Sequence, residues 1–177
     1  MILSSLKIIE VVVDMVVVRR ANEGDISGYL ECYGQVWSSF QGILPDQYVS
    51  DVLTRIEQPT FKENIKSLLD RPDGLLLITE EKGKIIGHAQ GRLNKGGYAW
   101  LDFMGVSPEN RRQGIGRELL SAFIEESRRY GCTKVSLDTA PCLKPAIKLY
   151  TEMGFIPEGY MRNHMHGLDL IFYSYFL

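Results

Sequence analysis

The sequence predicts a single-domain α/β (α+β) fold, with a mostly antiparallel sheet of about seven strands flanked by four or five helices. Three observations carry this. The chain has 177 residues, 45% hydrophobic and 24% charged, which suits one core and is too apolar for a largely disordered chain. Three strand-like segments between residues 75 and 106 follow one another through short glycine turns, the pattern of an antiparallel meander. Beyond residue 106 the apolar periodicity switches to alternating helices and strands.

Each element has its own signal. Residues 1–14 read as an N-terminal extension, with a β-branched run at 8–13 suited to an added strand or arm. Met15 then reads as the start of a single domain, 15–177. A strand candidate covers 16–20. Asn22 to Asp25 offer capping side chains for a helix through Ile26, Tyr29, Leu30 and Tyr33. Pro45 or Asp46 opens a second helix toward Ile56, and apolar residues at 61, 65, 68 and 69 make a third. Strands at 75–79, 85–93 and 98–106 are separated by the turns Glu81-Lys82-Gly83-Lys84 and Asn94-Lys95-Gly96-Gly97. Helix 114–130, strand 133–139, helix 144–153 and strands 155–161 and 168–176 complete the chain.

Composition narrows function. Twenty basic residues against twenty-two acidic ones leave a formal charge of −2, with no basic surplus for a general nucleic-acid binder. The most apolar stretch, 8–18, is broken by Glu10 and Asp14. It is far shorter than the roughly 20 residues a membrane helix needs, so no membrane partner is expected. The three cysteines, Cys32, Cys132 and Cys142, form no CxxC pair. They suggest neither a disulfide framework nor a zinc site, and make the cytoplasm the expected location. His164 and His166 have metal-like spacing but no third ligand nearby, so no metal is expected.

The sharpest feature is Arg111-Arg112-Gln113-Gly114-Ile115-Gly116-Arg117, set between the end of a strand and an amphipathic helix. Glycines at a helix N-terminus let a ligand approach free backbone N–H groups. Those donors and the helix dipole favour an anion, and two arginines add charge. Phosphate or pyrophosphate is the chemistry this suits. A Walker loop needs Lys and Ser/Thr after its second glycine, and the dinucleotide fingerprint needs a small residue at Leu119. Neither is present.

This loop resembles the Arg/Gln-x-x-Gly-x-Gly/Ala cofactor motif of the GNAT superfamily of N-acetyltransferases. A second segment, Ala146-Ile147-Lys148-Leu149-Tyr150 followed by Gly154-Phe155, is similar to that family's A-x-x-L-Y-x-x-x-G-F run. The resemblance covers residues 15–177 and implies a sheet that splays between its fourth and fifth strands to admit acetyl-CoA. It implies that the pyrophosphate lies on the N–H groups of Arg112 to Arg117, and that the pantetheine arm pairs with Met104, Gly105 and Val106. Leu143 stands where many members place an asparagine that touches this arm.

The resemblance also makes Tyr150 the general acid that protonates departing CoA. A phenol suits this, since thiol and phenol pKa values are comparable, at about 8.5 and 10. From the helix alone, Tyr150 reads equally as a packed aromatic. Two carboxylates are candidate bases: Asp138, near the end of the fifth strand, and Asp102, on the fourth. Ordered water is the third option. Trp37, Phe40, Gln41 and Tyr48 are implied on the acceptor side.

The expected activity is direct acetyl transfer in a ternary complex to a primary amine, either a peptide N-terminus, a lysine or a small amine. The alternative is a non-catalytic acyl-CoA-binding regulatory domain, motivated by Leu143. The aromatic last strand, with Phe172, Tyr173, Tyr175 and Phe176, reads either as core or as a homodimer contact.

Overall fold

The structure is a computed structural model that describes residues 17–177. The extension at 1–14, its strand candidate and the domain boundary at Met15 lie outside the described residues.

The elements run β1 (Val18–Arg20), α1 (Ile26–Ser38), α2 (Asp46–Ile56), α3 (Pro59–Asp70), β2 (Gly74–Glu81), β3 (Lys84–Leu93) and β4 (Tyr98–Val106). Then follow α4 (Ile115–Tyr130), β5 (Lys134–Thr139), α5 (Lys144–Glu152), β6 (Ile156–Met165) and β7 (Leu168–Phe176). The capping residues at 22–25 form a single 3-10 turn ahead of α1. There the Asn22 side chain accepts from the Gly24 N–H, and the Asp25 carboxylate accepts from the Asn22 N–H. α3 starts two residues earlier than its apolar repeat, because Pro59 supplies a preset first helical residue.

The seven strands lie in the order β1-β2-β3-β4-β5-β7-β6. All neighbours are antiparallel except β4 and β5. β2 is buried on both faces, and its side chains alternate between two cores. Leu75 and Leu77 join the cluster under α4 and α5, while Leu76 and Ile78 join the one under α1, α2 and α3. α4 buries Ile115, Leu119, Leu120, Phe123 and Ile124 on one face. Truncating such a leucine to alanine costs about 2–5 kcal/mol.

Two departures from regularity shape the site. First, β4 and β5 pair only from Tyr98–Lys134 to Leu101–Leu137 and then separate, which is the splay the family resemblance implied. Second, β3 and β4 slip register between Gln90 and Gly91, leaving Asp102 as an extra residue on β4. Gly91 allows the bulge, since a Cβ there would lie 2.1 Å from the Trp100 carbonyl oxygen.

β7 is interior, paired with β5 on one side and β6 on the other. It therefore has no free edge for a partner strand, and Tyr173 is core while Phe176 is exposed.

Candidate active site

The site forms where β4 and β5 part, between the N-terminus of α4 and the face of α5 that carries Leu149 and Tyr150. Gly114 caps α4 in the left-handed region, at φ 86°, and Arg112 is left-handed too, at φ 65°. Glycine adopts that conformation freely; arginine does so at a cost of about 1 kcal/mol or more. The N–H groups of residues 112–116 donate to no backbone carbonyl among the described residues. The Arg117 N–H does donate, to the Gly114 carbonyl at 2.8 Å. The expected donor set of 112–117 thus shortens by one, because Arg117 already lies in the first turn.

Gly116 is not held to glycine by the chain's own packing. A Cβ there would stand 3.4 Å from Leu149 Cδ2, an ordinary contact. Its bareness leaves room beside the free donors. Arg117 ties α4 to α5 through Glu152, at 2.9 Å. Arg111 points away from the loop: Nε donates to the Val106 carbonyl at 3.0 Å and Nη2 to Ser39 Oγ at 2.6 Å.

Along β4, the Ser107 N–H donates to the Ile86 carbonyl at 2.8 Å. By the alternation of an antiparallel ladder, Gly105 then turns its backbone groups to β3, and Met104 and Val106 turn theirs to the opening. This corrects the expectation for Gly105. Its lack of a side chain serves α1 instead, since a Cβ would lie 2.7 Å from Val36 Cγ1. Leu143 also departs from expectation. It precedes α5 and is partly buried, packed against the edge of the α1–α3 core.

Tyr150 is 7% exposed and packs against Phe155 and Tyr173, with ring centroids at 5.9 and 6.3 Å. Burial pushes its pKa well above the usual phenol value, and the charge of Asp138 pushes in the same direction. The hydroxyl therefore keeps its proton at neutral pH.

The two carboxylates differ in state. Asp102 accepts from Arg92 Nη2 at 2.7 Å and Nε at 3.2 Å. The bulge at Asp102 also breaks the simple strand parity between it and Val106. Asp138 makes no hydrogen bond to a side chain among the described residues. Burial raises its pKa from the ordinary aspartate value, His164 opposes this, and the charge of Asp102 adds to it. Of the two, Asp138 is the carboxylate without a charged side-chain partner among the described residues.

The wall across from these groups is aromatic. Trp37 stacks on Phe103 at 5.2 Å and meets Tyr48 and Phe40 edge-on. His166 stacks on Tyr48 at 5.2 Å, and its Nε2 lies 3.5 Å from Asp51, so the β6–β7 turn reaches α2. Gln41 lines a groove along α2 with Asp46 and Ser50. His88 is fully buried against Tyr29, Tyr33 and Phe103, and takes no part in the site. Ser39 was missed by sequence reasoning. It lies 72 positions from the arginine it binds, and no local pattern marks it.

Among the described residues no cluster of metal-ligating side chains occurs, and no helix is long and apolar enough to cross a membrane.

Residues 37–155, more than half of the chain, match the model of the acetyltransferase (GNAT) family. The chain belongs to that family of enzymes. The fold is shared with the paiA N-acetyltransferase of Thermoplasma acidophilum, solved with coenzyme A. The TM-score is 0.74 at 19% identity, covering 90% of this chain and 99% of that one. It is shared equally with ribosomal-protein-alanine N-acetyltransferase from Brucella melitensis, with TM-score 0.74, 21% identity, and 92% and 100% coverage. In sequence, the chain is 34% identical over 71 residues to the ribosomal protein bS18-alanine N-acetyltransferase of Escherichia coli. That match covers 40% of this chain and 48% of the relative. It is 30% identical over 73 residues to N-alpha-acetyltransferase 30 of Xenopus laevis, covering 41% and 27%. The chain thus spans less than half the length of these two curated relatives.

Proposed function

We propose that this protein transfers the acetyl group of acetyl-CoA to a primary amine by direct attack within a ternary complex. The observation that carries the proposal is the meeting of three features at one opening. These are the free N–H groups of residues 112–116, the protonated Tyr150 hydroxyl and the unpaired Asp138 carboxylate.

In this reading the pyrophosphate rests on residues 112–116, with the dipole of α4 and the charge of Arg112 favouring the anion. Arg111 serves the loop indirectly. The pantetheine arm pairs with Met104 and with the Val106 N–H, since the Val106 carbonyl is taken by Arg111. The acyl group then lies between Tyr150 and Asp138.

The acceptor must be neutral to attack, and Asp138 takes its proton directly or through water. The C–N bond forms, the C–S bond breaks, and the departing sulfur takes the Tyr150 proton. The two proton transfers assist each other. While Asp138 is charged it holds the proton on Tyr150; once protonated, it no longer does so, and Tyr150 becomes the stronger acid as the thiolate forms. Asp138 then releases its proton to solvent and Tyr150 regains one, which closes the cycle.

The acceptor belongs to the class of primary amines, presented as a peptide N-terminus, a lysine or a small amine. Names among the relatives include ribosomal-protein and N-alpha acetyltransferases, which favours a peptide N-terminus first. The test is release of CoA thiol from acetyl-CoA in the presence of N-terminal peptides, lysine peptides and polyamines. Amine-dependent release that falls in Tyr150→Phe supports the proposal. Acetyl-CoA binding without release for every amine identifies a regulatory acyl-CoA-binding domain instead.

A further inference from the structure

The last turn of α1 is fastened to the splayed end of β4 at two points, and both adjoin the loop of residues 112–116. At the first, Val36 fills the space where Gly105 has no side chain. At the second, the Arg111 guanidinium bridges the Val106 carbonyl, at 3.0 Å, and Ser39 Oγ, at 2.6 Å. Ser39 Oγ in turn donates to the Val36 carbonyl, at 2.6 Å. Trp37 lies between Val36 and Ser39 and is stacked on Phe103 and edge-on to Tyr48, so it belongs to the aromatic wall facing Asp138.

Arg111 is suited to sense the loop's occupant. Its guanidinium is partly desolvated and has only neutral oxygens as partners, with no carboxylate among the groups acting on it. Elsewhere in the same region charges are locally balanced, as in Arg117 with Glu152 and Arg92 with Asp102. An anion placed on the adjacent N–H groups would therefore act on a cation that no carboxylate among the described residues neutralises. It would draw on the same guanidinium that holds the end of α1.

We infer that Arg111 is a positioning residue that couples occupancy of the 112–116 loop to the aromatic acceptor wall, through Ser39 and the last turn of α1. The inference rests on the reading that CoA phosphate occupies that loop. It concerns how the two halves of the site communicate, which neither the fold nor the family defines.

The chain has two tryptophans, Trp37 and Trp100, so Trp100→Phe leaves Trp37 as the sole indole reporter. In that background CoA is titrated by calorimetry and by tryptophan emission. The expected result is a change in Trp37 emission that saturates with CoA binding. Adding Ser39→Ala keeps the CoA affinity within about threefold, a difference below 1 kcal/mol, yet removes at least half of the emission change. Ser39→Thr, which keeps the hydroxyl, restores it. Arg111→Lys, which keeps the charge but loses the forked donor geometry, behaves like Ser39→Ala in emission. A full emission change in Ser39→Ala, or none in the parent despite calorimetric binding, overturns the coupling alone. Absence of CoA binding by calorimetry in the parent overturns both the coupling and the cofactor reading beneath it.

Discussion

Replacing Gly116 by aspartate should strengthen the fold and cripple the cofactor site at once. Gly116 is the second residue of α4, and a Cβ there meets only Leu149 and Val106, at 3.4 and 4.0 Å. The backbone therefore accepts a Cβ here without a clash. Removing a glycine from the helix and adding an acid to its first turn together contribute about 1 kcal/mol. For a domain of this size that raises Tm by about 2–4 °C. The same carboxylate stands beside the free N–H groups of residues 112–116. Against two phosphate charges about 4 Å away, even at the dielectric constant of water, it opposes binding by about 2 kcal/mol, or about 30-fold in affinity. Thermal melts and calorimetric titration with acetyl-CoA read the two effects separately. Because they have opposite signs, a loss of binding cannot be blamed on unfolding. Gly116→Asp that binds acetyl-CoA within about threefold of wild type would refute the placement of the pyrophosphate on this loop.

Tyr150→Phe keeps the buried ring packing and should leave acetyl-CoA affinity unchanged while lowering kcat by about 10²-fold, the usual contribution of a general acid. Asp138→Asn should abolish the fall in kcat/KM on acidification through the raised Asp138 pKa, whereas Asp102→Asn should keep that limb of the pH profile. Burial holds the His88 pKa down to about 3, below that of the unfolded chain. The unfolded state therefore binds the proton first, and stability falls as pH drops from about 6.5. At pH 5 the loss from this one residue is about 2 kcal/mol. Urea unfolding at pH 7 and 5 should show that difference in the wild type, and show it reduced by a similar amount in His88→Leu.

Local signals made much of this architecture legible. The glycine turns at 81–84 and 94–97 mark the meander, and the period of Ile115, Leu119, Leu120, Phe123 and Ile124 marks α4. The Gly-x-Gly run marks the loop because backbone conformation at Gly114 depends on a single residue. Non-local features stayed hidden. The bulge at Asp102 arises from cross-strand register with β3, which no local pattern on β4 reveals. Gly105 was read as a cofactor contact because the helix residue that needs its space, Val36, lies far away in sequence. Leu143 resembles a lost cofactor contact until its packing against the edge of the α1–α3 core is seen. Arg111 reads as a phosphate ligand by its position beside the glycines, yet two oxygens of the chain claim its guanidinium.

The most direct measurement of the central claim is amine-dependent thiol release from acetyl-CoA, followed alongside mass spectrometry of the acceptor. One CoA thiol should appear for each acetyl group gained by an amine nitrogen, with the rate falling about 10²-fold in Tyr150→Phe at saturating acceptor. Thiol release at an undiminished rate in Tyr150→Phe, or saturable acetyl-CoA binding with no acetylated amine across peptide and small-amine acceptors, would contradict it.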